Sequence, residues 1–265
     1  MTGRDRVAIV TGAGRGIGAA TVRALAADGF AVLAVDIGHD VAGLPYSLAT
    51  ESELQNVVSA TGAGDRVAAH VADVRDQAAL AAAVADAEER WGGLDVAIGC
   101  AGVIGGGVNQ WELSTDIERL LIDINLGGIL NLSRAAVPAL LRRPQPRSGR
   151  FIAVSSAAAS RGLAMLTAYS AAKAGVTGLI RALAGELGPT GVTANAISPG
   201  STDTAMLHES ARLYGLPESG EFANQQPVAR LVDPAEVAAV IAFLASEGSS
   251  AMTGAIVPVD GGLAL

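Results

Sequence analysis

Seven short apolar runs recur along the chain, and longer amphipathic stretches separate them. The runs are Val7–Val10, Ala31–Asp36, Val67–Asp73, Leu94–Ala101, Arg150–Ser155, Val192–Ile197 and Ala255–Val259. Helical periodicity occupies Gly16–Asp28 and residues near 51–60, 76–91, 115–141, 168–187 and 233–246. Strands apolar on both faces must be covered on both faces. Alternation with helices achieves this by placing a parallel sheet between two helical layers. The pattern predicts one doubly wound α/β domain spanning 1–265, with a seven-stranded parallel sheet and helices on both faces. Half the residues are hydrophobic but only 3% are aromatic, so the core is expected to consist of small and branched aliphatic side chains. Thr50 with Glu53 and Thr115 with Glu118 fit capping boxes, and Asp233-Pro234 marks a further helix start. Residues 37–49 and 201 to about 226 read as irregular, and Pro144–Gly149 reads as a turn too short to separate domains.

The first run leads into Thr11-Gly12-Ala13-Gly14-Arg15-Gly16-Ile17-Gly18. Glycines on a strand-to-helix turn let the backbone approach a pyrophosphate, and the free amides and dipole of the helix N-terminus then hold it. In this α/β context the loop predicts a Rossmann-type dinucleotide site formed by Gly12, Gly14, Arg15, Gly16, Ile17 and Gly18. Asp36 ends the second strand, beside Ile37. A carboxylate there accepts both adenosine ribose hydroxyls and repels a 2′-phosphate, which favours NAD over NADP. Arg15 is the residue that would serve a 2′-phosphate instead.

Tyr169-Ser170-Ala171-Ala172-Lys173 places Tyr169 and Lys173 on one helix face, and Ser156 lies at the end of an apolar strand shortly before. Together with Asp73-Val74, Ala101-Gly102, Asn125, Pro199-Gly200 and Asp260-Gly261-Gly262, these residues resemble the short-chain dehydrogenase/reductase family along essentially the whole chain. The resemblance implies an NAD-dependent oxidoreductase acting on CH-OH donors. Tyr169 would give or take the proton at the substrate oxygen, Ser156 would orient that oxygen, Asn125 would hold a water of the proton relay, and Lys173 would hold the ribose. A free tyrosine has a pKa of about 10, so work near pH 7 asks for a fall of ~3 units, or ~4 kcal/mol. Lys173 as a nearby cation would supply much of it. The resemblance further implies cofactor contacts from Asp73 and Val74 at the adenine, from Ala101 and Gly102, and from Pro199, Gly200, Thr202 and Thr204 near the nicotinamide.

Two features depart from the family pattern. The fourth strand ends Gly99-Cys100-Ala101-Gly102 where the family usually carries two asparagines, and Cys100 reads as a small buried hydrophobe. The span from Asp36 to Asp73 is also longer than the family needs, by roughly a dozen residues between His39 and Thr50. On physical grounds this is either a variable surface loop or a cover over the cofactor. The insertion, Ala101 to Gly106, Trp111-Glu112, Pro199 to Met206 and the stretch from Ala205 to Phe222 resemble the mycofactocin-coupled subfamily related to carveol dehydrogenases. That resemblance implies NAD retained between turnovers beneath a lid that includes Tyr46, and NADH reoxidised in place by the redox carrier mycofactocin. Two alternatives stand beside it, a short-chain dehydrogenase with freely exchangeable NAD and a non-catalytic NAD-binding regulator.

The substrate side is expected over residues 201–226, with Met206, Leu207 and Tyr214 joined by Val103, Ile104 and Trp111 in a mostly apolar pocket for a small alcohol or ketone. Arg161 and Arg212 are the candidates for holding a substrate carboxylate. The three histidines lack metal-ligand spacing, so no metal is expected. A net charge of −8 without a basic patch argues against nucleic acid. One cysteine excludes an internal disulfide. The polar Met1–Arg6 and the lack of an apolar run near the ~20 residues of a membrane span point to a cytoplasmic chain without a membrane partner. The family resemblance adds a homotetramer, packed through helices near 115–141 and 168–187 and the C-terminal strand, where Ala171, Ala172, Ala174, Gly175 and Gly178 would permit close contact.

Overall fold

The structure, a computed structural model, describes residues 6–265, so the sequence reading of Met1 to Asp5 lies outside the described residues. Its strands are β1 (Val7–Thr11), β2 (Ala31–Asp36), β3 (Val67–Val71), β4 (Val96–Gly99), β5 (Arg150–Val154), β6 (Thr193–Pro199) and β7 (Ile256–Val259). Its helices are α1 (Gly16–Ala27), α2 (Glu51–Ala60), α3 (Gln77–Trp91), α4 (Thr115–Ile122), α5 (Gly128–Arg142), α6 (Ala158–Arg161), α7 (Thr167–Leu187), α8 (Ala205–Leu213) and α9 (Pro234–Ala245). The strands form one parallel sheet in the order β3-β2-β1-β4-β5-β6-β7. Strand order reverses between β1 and β4. In such sheets a crevice opens at this point, beyond the carboxyl ends of the strands.

Strand alternation sorts the core into two layers. Val7 and Ile9 of β1 face the layer built on α3, α5 and α7, with Leu80, Leu132 and Val176. Ala8 and Val10 face the layer of α1 and α9, with Val22, Leu25, Val237 and Ile241. β1, β5 and β6 are buried at every position, as a sheet covered on both faces requires.

The helix predicted over 115–141 is interrupted by a π turn at Asp123–Gly127. Such a turn adds a residue to the helical repeat and re-aims the side chains around it. Thr115–Arg142, taken through this turn, is long and apolar enough to cross a membrane by length and composition, contrary to the sequence reading. Its Leu121, Ile129, Leu132, Ala136 and Leu140 are packed in the sheet's core layer. The predicted cap also shifts. Ser114, not Thr115, is the N-cap of α4 and accepts from Asp116 N at 3.3 Å, while Thr115 is already helical. The stretch after Ser201 is more ordered than expected. Thr204 caps α8 by accepting from Leu207 N at 3.3 Å, and a 3-10 turn covers Ser219–Gln225.

The insertion after β2 is irregular but braced. Glu51 N donates to Gly38 O at 3.2 Å and closes its base. Asp40 accepts from Leu48 N at 2.7 Å, and Thr50 and Glu53 form the expected capping box of α2.

A cap typically contributes ~1 kcal/mol. Ser114→Ala should therefore lower the free energy of urea unfolding by about that amount, and Thr115→Ala by less than half of it. Equal losses would restore Thr115 as the cap.

Candidate active site

The carboxyl ends of β1, β4, β5 and β6 open onto one cavity of about 520 Å³. Every sequence-predicted cofactor and substrate residue except Gly14 and Trp111 lines it, as does every predicted catalytic residue except Asn125. Trp111, expected on the substrate wall, does not line it. It sits on a 3-10 turn with 84% of its surface exposed, because that turn carries it outward before α4 begins.

The first half of the cavity is built by the glycine turn. Gly12 has φ +67, and a Cβ there would lie 2.6 Å from Ala101 Cα and N. A Cβ at Gly18 would overlap the Gly12 carbonyl oxygen. Only glycine lets α1 and β4 pack this closely. α1 opens with no side-chain cap and no acidic residue in its first turn, so its leading amides remain available to an anion. Asp36 accepts from Gly14 N and from its neighbour Ile37 N, both at 2.8 Å. Gly14 thus acts from behind, orienting the carboxylate that faces the cavity. Burial pushes the Asp36 pKa up, and the two amide bonds oppose the shift. An ionised carboxylate accepts about four hydrogen bonds, so Asp36 keeps capacity for a pair of ribose hydroxyls. Arg15 does not point free for a 2′-phosphate, since its Nη2 donates to Ser47 O of the insertion at 2.6 Å. These features fit a nicotinamide dinucleotide.

The second half holds the predicted catalytic residues. Ser156 follows β5, and α7 carries Tyr169 and Lys173 one turn apart. The Ser156 hydroxyl draws the Tyr169 pKa down, but burial is the larger effect and holds the phenol above its ordinary value. Burial thus opposes the lowering expected from Lys173. The Lys173 Nζ lies 5.8 Å from the Tyr169 ring centroid and donates to Val154 O at 2.9 Å. Lys173 is the single lysine in the sequence. Burial lowers its pKa to about 8, with Cys100 opposing. Cys100 itself is pushed up to about 12 by burial, which disfavours a thiolate.

Asn125 stands behind the cavity wall, fully buried. Its Nδ2 donates to Val103 O at 2.9 Å and Leu121 O at 2.8 Å, and its Oδ1 accepts from Val103 N at 3.2 Å. The π turn delivers it there, and in this state its side chain pins the segment after β4. A Cβ at Gly102 would sit 2.8 Å from Asn125 Oδ1 and 3.3 Å from Lys173 Nζ, so Gly102 leaves room for both.

The substrate end is apolar. Ile104, Leu166, Tyr169, Met206 and Tyr214 pack together there, and Tyr46 of the insertion joins them. Three ties hold these segments. Tyr214 Oη donates to Ala164 O at 2.7 Å, Gly107 N donates to Met165 O at 3.0 Å, and Tyr46 Oη pairs with the main chain of Ile104. Leu163, Leu166, Leu216, Phe222 and Leu263 also line the cavity. Sequence reasoning had not placed Leu163, Leu166 or Leu263 there, and an ordinary apolar residue gives no local signal of which cavity it faces. Arg161 donates to Leu263 O at 2.9 Å and Arg212 pairs with Glu209, so neither is positioned to hold a substrate carboxylate. No cluster of three potential metal ligands occurs among the described residues.

Comparison with known proteins bears on this geometry. A family model described as enoyl-(acyl carrier protein) reductase matches residues 12–264. The short-chain reductase protein NovJ of Streptomyces niveus is 41% identical over 98% of this chain and 94% of its own length. The structure of a carveol dehydrogenase from Mycobacterium avium in complex with NAD superposes with a TM-score of 0.92, at 32% identity and 99% coverage of both chains. An actinorhodin polyketide ketoreductase variant with NADPH superposes with a TM-score of 0.89, at 30% identity, covering 100% of this chain and 99% of its own.

The single lysine makes the site's electrostatics directly measurable. Trace labelling with acetic anhydride across pH should place half-titration of Lys173 at about 8, whereas a value near the ordinary 10.5 would show it solvated. The sign for stability follows. Between about 8 and 10.5 the unfolded chain holds a lysine proton that the native protein has released, so this group's contribution to stability rises with pH. Lys173→Met should remove that rise. Cys100 and the buried tyrosines, held above their ordinary values, act in the opposite sense at higher pH.

Proposed function

The chain belongs to the short-chain dehydrogenase/reductase family, and from that premise we propose that it interconverts an apolar alcohol and its carbonyl compound with NAD as the hydride carrier. One observation carries the reading. Ser156, Tyr169 and Lys173 converge in a cavity whose other half is a glycine turn flanked by Asp36. Nicotinamide, when bound, supplies or accepts the hydride. The chain's own residues manage the proton. Ser156 holds the substrate oxygen beside the Tyr169 phenol. Because burial keeps that phenol neutral at pH 7, it is ready to donate to a carbonyl being reduced. Alcohol oxidation runs through its deprotonated form, which the Lys173 ammonium favours below pH about 8.

Asp36 and the engagement of Arg15 with Ser47 support NAD over NADP. The insertion supports a retained cofactor. Val41, Tyr46, Leu48 and Ala49 line the cavity, and Arg15 and Ile104 hold the segment at its two sides. On this reading NAD stays bound between turnovers. Reoxidation of NADH in place by mycofactocin rests on the subfamily resemblance of the insertion and of residues 199–206. The chain is further proposed to work as a homotetramer through α5 and α7. Ala171 and Gly178 lie exposed on α7, with open space beyond Gly178.

Protein purified without added nucleotide should carry about one NAD, and no NADP, per chain. It should oxidise cyclohexanol with an artificial electron acceptor and no added NAD. Tyr169→Phe should lower turnover by about 10²–10⁴-fold while leaving the nucleotide bound. An empty protein that turns over only with external NAD would return the reading to an exchangeable cofactor. Nucleotide binding with no turnover across an alcohol panel would make the chain a regulator. Sedimentation equilibrium should give four chains per particle, and a monomer would remove the helix–helix interface.

A further inference from the structure

We propose that Tyr46, although carried on the cofactor-side insertion, is a positioning residue of the substrate wall, so that the wall and the cover over the cofactor open as one body. The inference rests on the reading of the chain as a dehydrogenase with a covered cofactor, and it adds a coupling between the two halves of the site.

The geometry is reciprocal. Ile104 N donates to Tyr46 Oη at 2.9 Å, and Tyr46 Oη donates to Ile104 O at 3.2 Å, across 58 positions of sequence. Ile104 is 4% exposed, so its main-chain groups have little access to water in place of the phenol. The Tyr46 ring packs against the cluster of Ile104, Leu166 and Tyr169 that bounds the reaction centre. Its neighbour Ser47 is held the opposite way, its carbonyl accepting from Arg15 of the glycine turn at 2.6 Å. Consecutive residues thus anchor the insertion to both halves of the site. Lifting it to release nucleotide separates Tyr46 from Ile104 and removes part of the surface on which an apolar substrate packs. Burial pushes the Tyr46 phenol up to about 12, so it holds its proton through the working range and is no second acid/base. A ligand that packs on the ring favours the closed state, and by linkage a closed cover favours the ligand.

The test uses the NADH-loaded protein. Released NADH is consumed by excess lactate dehydrogenase and pyruvate, and its loss is followed by fluorescence. In parallel, cyclohexanol oxidation is measured with an artificial acceptor. Tyr46→Phe keeps the ring and loses both hydrogen bonds. It should speed NADH release and raise the KM for cyclohexanol, each by about tenfold, with kcat within about twofold and its pH profile unmoved. Cyclohexanol should slow NADH release from the wild type and slow it less from the variant. A change in release alone, or in KM alone, overturns the coupling. A shifted pH profile makes Tyr46 part of the proton chemistry and overturns its positioning role. Absence of any cyclohexanol effect on wild-type NADH fluorescence or release overturns the wall. If the wild type arrives without nucleotide, retention fails but the coupling is still decided, because the KM values for added NAD and for cyclohexanol must then rise together in Tyr46→Phe.

Discussion

The site depends on how closely the end of β4 lies against the turn between β1 and α1. Gly18 packs on the Gly12 carbonyl, Gly12 packs on the backbone of Ala101, and Gly102 lies under Asn125 and Lys173. At each of these contacts a Cβ would fall closer than side-chain carbons normally approach. The result is a continuous track of main chain from the phosphate-binding turn to the reaction centre. Its length is set by backbone contacts rather than by flexible side chains. This fixes the separation between the glycine turn at one end of the cavity and Tyr169 at the other. Hydride transfer tolerates little error in that separation.

Much of this was legible in the sequence, because it is carried by local pattern. Alternation of Val7 to Val10 and its counterparts gave a sheet buried on both faces. Thr50 with Glu53 caps its helix as the spacing predicts, and Asp233-Pro234 opens α9. What escaped was tertiary. Nothing in Asp123-Ile124-Asn125 announces a π turn, since the helical periodicity runs straight through it. Ser114 and Thr115 are both good caps by type, and only the backbone angles decide between them. Lys173 and Tyr169 share a face as their spacing requires. The balance between mutual attraction and desolvation, however, is set by the depth of α7, which spacing does not encode. Tyr46 and Ile104 meet because two loops from different strand ends cross the same crevice, and no one-dimensional pattern links them.

The polar groups around the substrate end are largely committed to the protein itself. Tyr46 and Tyr214 spend their hydroxyls on main chain, Arg161 holds the carbonyl of Leu263, and Arg212 holds Glu209. The cavity therefore offers hydrocarbon surface together with the hydroxyls of Ser156 and Tyr169. A site of this kind distinguishes substrates that differ by one methylene by only about 10–200-fold. Selectivity beyond that has to come from shape, and shape discriminates only when the walls do not yield. Three main-chain ties supply the stiffness, at Ala164, Met165 and Ile104. The tie at Met165 depends on backbone that few residues tolerate. Met165 sits at φ +60, and a Cβ at Gly106 would overlap its carbonyl oxygen. Strain of this kind persists only where the surroundings over-determine it. Here the surroundings are the segments after β4 and β5 and the α8 segment, locked to one another around the part of the cavity that Tyr169 lines. Stereochemical preference in such a site follows from the rigidity of an apolar frame, and polar recognition of the substrate reduces to the single oxygen that reacts.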